Sequence, residues 1–158
     1  SLPVNYDATD LDIIEQLKQD GRKSLREIAE NLDISPSTAS NRFTQLKDRG
    51  IIKGFRPVID HESLGFGFTT VTHIRSRSGM IEEVQKHLSD LGFVSSYFLV
   101  TGETDIIVIS RFKGRMEMNE KLRELQSLKG VEDTKTNVVL ESEGFFDGVS
   151  LEDVRDSL

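Results

Sequence analysis

The 158-residue sequence contains no cysteine and no tryptophan, and only three histidines and three prolines. Without cysteine there is neither a disulfide framework nor a thiolate metal site, as is common for proteins of a reducing cytoplasm. The histidines, His61, His73 and His87, are too dispersed to indicate a zinc site. We therefore expect no metal and no other cofactor.

Long apolar runs are also missing. No segment approaches the roughly 18 to 20 apolar residues of a membrane-spanning helix, and no basic region followed by an apolar one opens the chain. The hydrophobic content of 36% is sufficient for a packed core in one large domain or two small ones. These features predict a globular, cytoplasmic protein with no membrane partner.

The net charge of −7 is unevenly distributed. Residues 1–60 carry nine Lys and Arg against ten Asp and Glu, residues 61–140 carry ten against eleven, and residues 141–158 carry one against six. Within the first part, residues 36–56 hold five basic side chains and a single acid, Asp48. Because phosphate contacts require local rather than total positive charge, this segment is a candidate for contact with a polyanion.

Three short helices are predicted in the first 50 residues. Apolar side chains recur at helical spacing in residues 11–17 and again in residues 25–32. Asp33 lies where the chain must turn sharply, and Asp tolerates a left-handed backbone better than most residues. Ser35 then caps a third helix, with Pro36 at its first position. Two helices separated by such a turn are typical of a helix-turn-helix.

The third helix has one apolar and one polar side. At about 100° per residue, Ala39, Phe43 and Leu46 share one side, and the opposite side is rich in short polar groups. Asn and Gln can pair with adenine, Ser and Thr with bases or phosphates, and Lys and Arg with phosphates. The predicted DNA contacts are Ser35, Ser37, Thr38, Asn41, Arg42, Gln45, Lys47 and Arg49.

Within this set we assign Arg42, Lys47 and Arg49 to affinity and position. The base-reading role falls to the short polar residues Ser37, Thr38, Asn41 and Gln45. The alternative is an exposed helix side that merely happens to be polar.

From residue 61 the pattern changes to that of an α+β domain. Segments rich in β-branched and aromatic residues alternate with two helical ones in the order β-α-β-β-α-β, which predicts a ferredoxin-like antiparallel sheet with both helices on one face. In residues 105–109, DIIVI, four apolar residues follow Asp105 at consecutive positions, so both faces of that strand should be covered. We therefore expect a second subunit on the open face. The predicted organisation is a helix-turn-helix domain (1–50), a linker strand (51–62), the ferredoxin-like domain (63–141) and an acidic tail (142–158).

The tail has two interpretations. Ser150 with Asp153 could cap a short helix anchored by Phe145 and Phe146. The alternative is a solvated acidic end.

The chain resembles the leucine-responsive and asparagine-responsive (Lrp/AsnC) regulators of bacteria and archaea. The motifs that carry the resemblance are LDIIEQLKQDGRKSLREIAENLDISPSTASNRFTQLKDRGIIKGF, LGFGF, VTGETDIIV and LKGVEDTKTNVVL. They extend, in order, to about residue 141. The resemblance implies a helix-turn-helix, a linker strand, and a ferredoxin-like domain for effector binding and assembly into dimers, often octamers or other rings. Asp33, where the family commonly has Gly, and the acidic tail are departures.

An effector site is predicted in the loop TGETD. Gly102 allows a ligand carboxylate to approach backbone N–H groups, and Asp105 can pair with an ammonium, so the two suit an α-amino acid. The resemblance assigns an amino-acid site to this loop and places part of the last strand nearby. The predicted effector contacts are Thr101, Gly102, Thr104, Asp105, Thr134, Thr136 and Asn137. The alternative is that Gly102 only makes a turn and Asp105 caps it or pairs with an Arg.

Two other classes of protein are alternatives. The sirohaem decarboxylases are similar to this family in architecture, and such an enzyme would need a pocket of His and Arg groups, for which His73, Arg75 and Arg77 are the only candidates. A ligand sensor without DNA contact is the other class, and the basic segment argues against it. We predict instead a non-enzymatic, sequence-specific transcriptional regulator, at least dimeric, whose partners are double-stranded DNA and a small-molecule effector.

Overall fold

The computed structural model describes residues 6–142, 149–156 and 158. The chain divides into an N-terminal unit, residues 1–57 with 144–158, and a sheet unit, residues 58–143. In the described ranges, no helix has the length and apolar character needed to cross a membrane.

The N-terminal unit begins with the three predicted helices, α1 (Ala8–Gln19), α2 (Leu25–Leu32) and α3 (Pro36–Asp48). Each helix starts at a side chain that accepts a hydrogen bond from a first-turn N–H group. These caps are Asp7, Ser24 and Ser35. Asp33 ends α2 with φ 53° and ψ 46°, which confirms the left-handed turn predicted there.

One apolar residue from each helix meets in the core of this unit. Ile13, Ile28 and Leu46 have at most 1% of their surface exposed. Because each comes from a different helix, burying them fixes the three helices against one another.

The predicted linker strand is wrong. Residues 51–60 have irregular backbone, residues 61–65 form a turn, and none of the four strands of the sheet pairs with them. A strand is defined by a neighbour that completes its ladder of hydrogen bonds, and Pro57 also removes one N–H donor.

The sheet unit has the predicted β-α-β-β-α-β order. Its four strands are antiparallel and lie in the order β2-β3-β1-β4. The core between the sheet and its helices contains Ile74, Val84, Leu88, Val108 and Leu125. The elements are β1 (Phe68–Ser76), α4 (Ile81–Asp90), β2 (Val94–Leu99), β3 (Ile106–Phe112), α5 (Arg115–Gln126) and β4 (Val131–Val138).

Alternation along β1 and β3 separates the two faces of the sheet. Ile74 and Val108 are fully buried on the face that packs against the helices. Val71, Ile107 and Ile109 belong to the other face, where they are only partly buried. This second face, called the open face below, is where the sequence predicts a partner subunit.

The end of the chain forms a short helix, α6 (Leu151–Arg155), in the N-terminal unit. Arg155 forms an ion pair with Asp12 of α1, and Lys18 Nζ donates to the carbonyl oxygen of Val149 at 3.3 Å. Of the two interpretations of the tail, the structure agrees with the short helix, although Ser150 makes no side-chain cap hydrogen bond. Its proposed anchors, Phe145 and Phe146, lie outside the described residues.

Gly130 generates the first testable prediction. It has φ +92°, and an added Cβ would lie 2.9 Å from Val84 Cγ2 and 3.0 Å from Met80 Cβ. Gly65 has φ +91° but nothing within 4 Å of an added Cβ. We expect Gly130→Ala to lower the free energy of unfolding by about 2–4 kcal/mol, because strain and overpacking add, and Gly65→Ala by only about 1 kcal/mol. Urea unfolding followed by circular dichroism measures both, and equal losses would contradict the close packing at Gly130.

Candidate nucleic-acid interface and effector site

The polar side of α3 is exposed, and its apolar side is buried. Ala39 and Leu46 are buried, whereas Asn41, Thr44 and Gln45 are exposed. The helix axis is therefore anchored by one side only. The other side is free within the N-terminal unit, so it can enter a groove of the width and depth of the DNA major groove.

Hydroxyl groups are linked to one another at the start of α3. Ser35 Oγ accepts from the Thr38 N–H at 3.1 Å and forms hydroxyl hydrogen bonds with Thr38 Oγ1 at 2.7 Å and Ser37 Oγ at 3.0 Å. Ser35 is thus occupied as the N-cap. Ser37 is exposed, so its hydroxyl can also reach a phosphate or a base at the positive end of the helix dipole.

The basic side chains of α3 have different surroundings. Lys47 is exposed, and its Nζ lies 5.6 Å from the centre of the Phe43 ring, which itself packs on Phe55 at 6.2 Å between centroids. Arg49 is the C-cap residue of α3 and is exposed. Both therefore lie at the C-terminal end of the helix, where a long side chain can reach a phosphate of the flanking backbone.

Arg42, by contrast, points to α1. Its Nη1 lies 2.6 Å from Asp7 Oδ2 and 3.4 Å from Asp10 Oδ1. The Asp10 N–H and the Arg42 guanidinium hold the pKa of Asp7 below its ordinary value, and the same ion pair raises the pKa of Arg42. Neither acid was recognisable from the sequence as a partner of Arg42.

A polar cavity of about 270 Å³ lies on the open face, beside the connection between β2 and β3. The strand register brings its walls together, since His73 is opposite Lys135 and Arg75 is opposite Asp133. The cavity combines cationic and anionic groups, which suits a small zwitterion. Its lining residues are His73, Arg75, Glu103, Thr104, Asp133, Lys135 and Asn137.

Only part of the predicted effector set reaches this cavity. Thr104 and Asn137 line it. Thr101 and Gly102 lie in the adjoining connection, where Gly102 has φ +111°, as the predicted turn requires. Thr134 and Thr136 do not line the cavity. They alternate with Asn137 and face the helices, where Thr136 Oγ1 bonds Thr72 Oγ1 at 2.9 Å.

Asp105 holds the backbone of the sheet. Its Oδ2 accepts from the Ser76 N–H at 2.8 Å, and its own N–H donates to the Ile74 carbonyl at 3.0 Å. Asp105 therefore has a structural role, but its carboxylate bonds the backbone of β1 instead of capping the turn or pairing with an Arg as the alternative states. The acids that line the cavity are Glu103 and Asp133, which the sequence analysis missed.

Two of the three residues that are candidates for a decarboxylase-like pocket line the cavity. His73 and Arg75 line the cavity, but Arg77 lies beyond the end of β1, and its N–H donates to the Gly130 carbonyl at 2.8 Å. Among the described residues, no group of His, Asp and Glu side chains is arranged to hold a metal ion.

The two units of the chain match different domains of known proteins. Residues 6–53 match a winged helix-turn-helix DNA-binding family, and residues 68–143 match the Lrp/AsnC ligand binding domain. An HTH-type transcriptional regulator of Pyrococcus horikoshii is 39% identical over 138 residues, which are 87% of this chain and 93% of that protein. The leucine-responsive regulatory protein of Haemophilus influenzae is 28% identical, with 85% of this chain and 84% of that protein covered.

A solved structure shows the same likeness in three dimensions. The transcriptional regulator NMB0573 of Neisseria meningitidis, in complex with L-Met, matches with a TM-score of 0.88 at 27% identity, over 94% of this chain and 99% of that chain. Together with the exposed side of α3, these findings define a DNA-binding transcriptional regulator with a ligand-binding domain. The chain belongs to the Lrp/AsnC family.

The position of Asp105 leads to a second prediction. Asp105→Ala should lower the free energy of unfolding by about 1–3 kcal/mol without any ligand, because it leaves a backbone N–H of β1 without its charged acceptor. Glu103→Ala, two residues away on the exposed part of the loop, is the matched control and should leave stability unchanged. Thermal unfolding of both variants measures this difference, and equal stability of the two would refute the structural role of Asp105.

Proposed function

We propose that α3 enters the major groove and that its exposed side selects the DNA sequence. Ser37, Thr38, Asn41 and Gln45 would read base edges. The observation that carries this proposal is the division of α3, whose apolar side packs on α1 and α2 while its polar side stays exposed. The site of action would be the prokaryotic cytoplasm, where the chromosome lies.

We further propose that two copies pair through their open faces. Phe98 is 55% exposed there, beside the partly buried Ile107 and Ile109. A second subunit on this face would bury these side chains and bring a second copy of α3 to the same duplex. Two such helices would contact half-sites about one helical turn apart, or multiples of it, on a pseudo-palindromic site. Octamers or other rings would be built from these dimers.

A third prediction tests base reading. Asn41→Ala should reduce discrimination at one base-pair position by roughly 1–3 kcal/mol, because Asn can pair two-point with adenine. Lys47→Ala, on the same helix, should instead weaken binding to all sequences and lower the salt slope by about one. The measurement is fluorescence anisotropy with a duplex selected from a random pool and its single-base variants. Equal loss on every sequence after Asn41→Ala would contradict the reading role.

The effector we propose is an α-amino acid, bound in the cavity of the open face. Arg75 and Lys135 would receive its carboxylate, and Glu103 and Asp133 its ammonium. The related regulator of Neisseria meningitidis, solved with L-Met, supports this ligand class. Because the cavity lies on the face where the second copy would pack, the ligand would bias assembly states, and the protein would act by binding rather than by catalysis.

The fourth prediction concerns this cavity. L-Methionine, or another member of an amino-acid panel, should raise the thermal midpoint, whereas the corresponding amine and deaminated acid should not, since each lacks one of the two charges. Lys135→Ala should abolish the shift. Lys129→Ala removes a lysine that pairs with Glu83 on another part of the sheet unit and should preserve it. A shift that survives Lys135→Ala would place the effector elsewhere.

A further inference from the structure

Arg42 pairs with carboxylates, whereas Lys47, the other basic residue of α3, lies beside the Phe43 ring. The Arg42 Nη1 lies 2.6 Å from Asp7 Oδ2 and 3.4 Å from each carboxylate oxygen of Asp10. The Arg42 side chain is 33% exposed to solvent. These contacts link the middle of α3 to the start of α1. They occur in a segment whose local positive charge otherwise suggests contact with phosphates.

Asp10 makes this link necessary. It is only 3% exposed, and a buried carboxylate is stable only when it is paired and hydrogen-bonded. Its Oδ2 also accepts from the Asp7 N–H at 3.1 Å, and Asp7 accepts from the Asp10 N–H at 3.1 Å. The two acids therefore form one unit with the cap of α1, and Arg42 supplies the positive charge that pairs with both carboxylates.

The link lies where it can control the rotation of α3. Ala39, Arg42 and Leu46 follow one another at spacings of three and four residues, so they share one side of the helix. Hydrophobic burial of Ala39 and Leu46 has no directional preference, whereas a guanidinium held by two carboxylates does.

We propose that Arg42 is a positioning residue, which orients the reading side of α3 by fastening the helix to Asp7 and Asp10, and that it is not a phosphate contact. This inference rests on the proposed reading function of α3. Asn41 directly precedes Arg42, and Gln45 follows one turn later. A small rotation of the helix would therefore displace both from the base edges.

The fifth prediction uses Asp7→Asn, for which the two roles require opposite results. Asn caps a helix as well as Asp does, so α1 stays capped while the charge that holds Arg42 is removed. If Arg42 contacted phosphate, this change would free it and tighten DNA binding. If Arg42 positions α3, binding to a selected duplex should weaken by about 10-fold, as expected for the loss of one member of a coupled charge network.

Arg42 variants supply the matching half of the experiment. Arg42→Gln should weaken binding to the selected duplex by about the same factor, and the double variant with Asp7→Asn should lose no more than either single one. The salt slope of Arg42→Gln should equal that of the wild type, whereas Lys47→Gln should lower the slope by about one. Arg42→Lys should behave like Arg42→Gln, because one ammonium cannot replace the guanidinium fork.

Comparison of the selected duplex with a random duplex separates positioning from simple loss of folded protein. Misplacement of the reading side of α3 should reduce the ratio of the affinity for the selected duplex to that for the random duplex. A smaller fraction of folded protein lowers both affinities equally, and circular dichroism measures that fraction. Tighter binding by Asp7→Asn, or a slope lowered by about one in Arg42→Gln, would overturn the proposal. A wild-type protein that discriminates no duplex would overturn the reading function itself, and with it this inference.

Discussion

The contact among Ile13, Ile28 and Leu46 is the constraint on which the DNA-binding surface depends. Each of the three residues comes from a different helix, and each is almost completely buried. Full burial of such side chains contributes at most about 1.5–3 kcal/mol each, so together they are comparable with the net stability of a small domain. By holding the apolar side of α3 inward, they leave its polar side outward.

The sheet unit uses the same division of faces with a period of two instead of 3.6. Its helices cover one face, and the polar cavity and the half-buried Ile107 and Ile109 belong to the other. Because neighbouring residues of a strand point to opposite faces, a single position decides whether a side chain faces the helices or lines the polar cavity. Thr136 and Asn137 are adjacent in β4 and illustrate both outcomes.

The sequence predicted what depends on local periodicity, and it failed where distant partners decide. The cap at Ser35, the turn at Asp33 and the β-α-β-β-α-β order follow from short-range patterns, and the structure confirms them. The linker strand failed because strand formation requires a neighbour that no local pattern supplies. The resemblance pointed to the segment of β4 that borders the polar cavity, but Thr134 and Thr136 lie on its opposite face. Alternation within β4 was a usable signal, since Asp133, Lys135 and Asn137 are its charged or polar alternate positions.

The partners of Arg42 were beyond such reasoning, because Asp7 and Asp10 precede it by 35 and 32 residues. Their position also changes the electrostatic argument for DNA binding. Residues 36–56 count five basic residues, but Arg42 is neutralised by carboxylates of α1, so the positive charge offered to phosphates is smaller than composition indicates. Each neutralised phosphate contributes through the release of counterions, and one copy of α3 with few cations gains little affinity in this way. On the proposals above, specific binding at physiological salt would depend on base contacts made by a correctly oriented helix and on a second copy on the same duplex. Binding of that second copy would be intramolecular once the first is bound. For a regulator whose overall charge is negative, the proposed orientation of α3 by Arg42, Asp7 and Asp10 and the proposed pairing of two subunits would therefore be linked requirements.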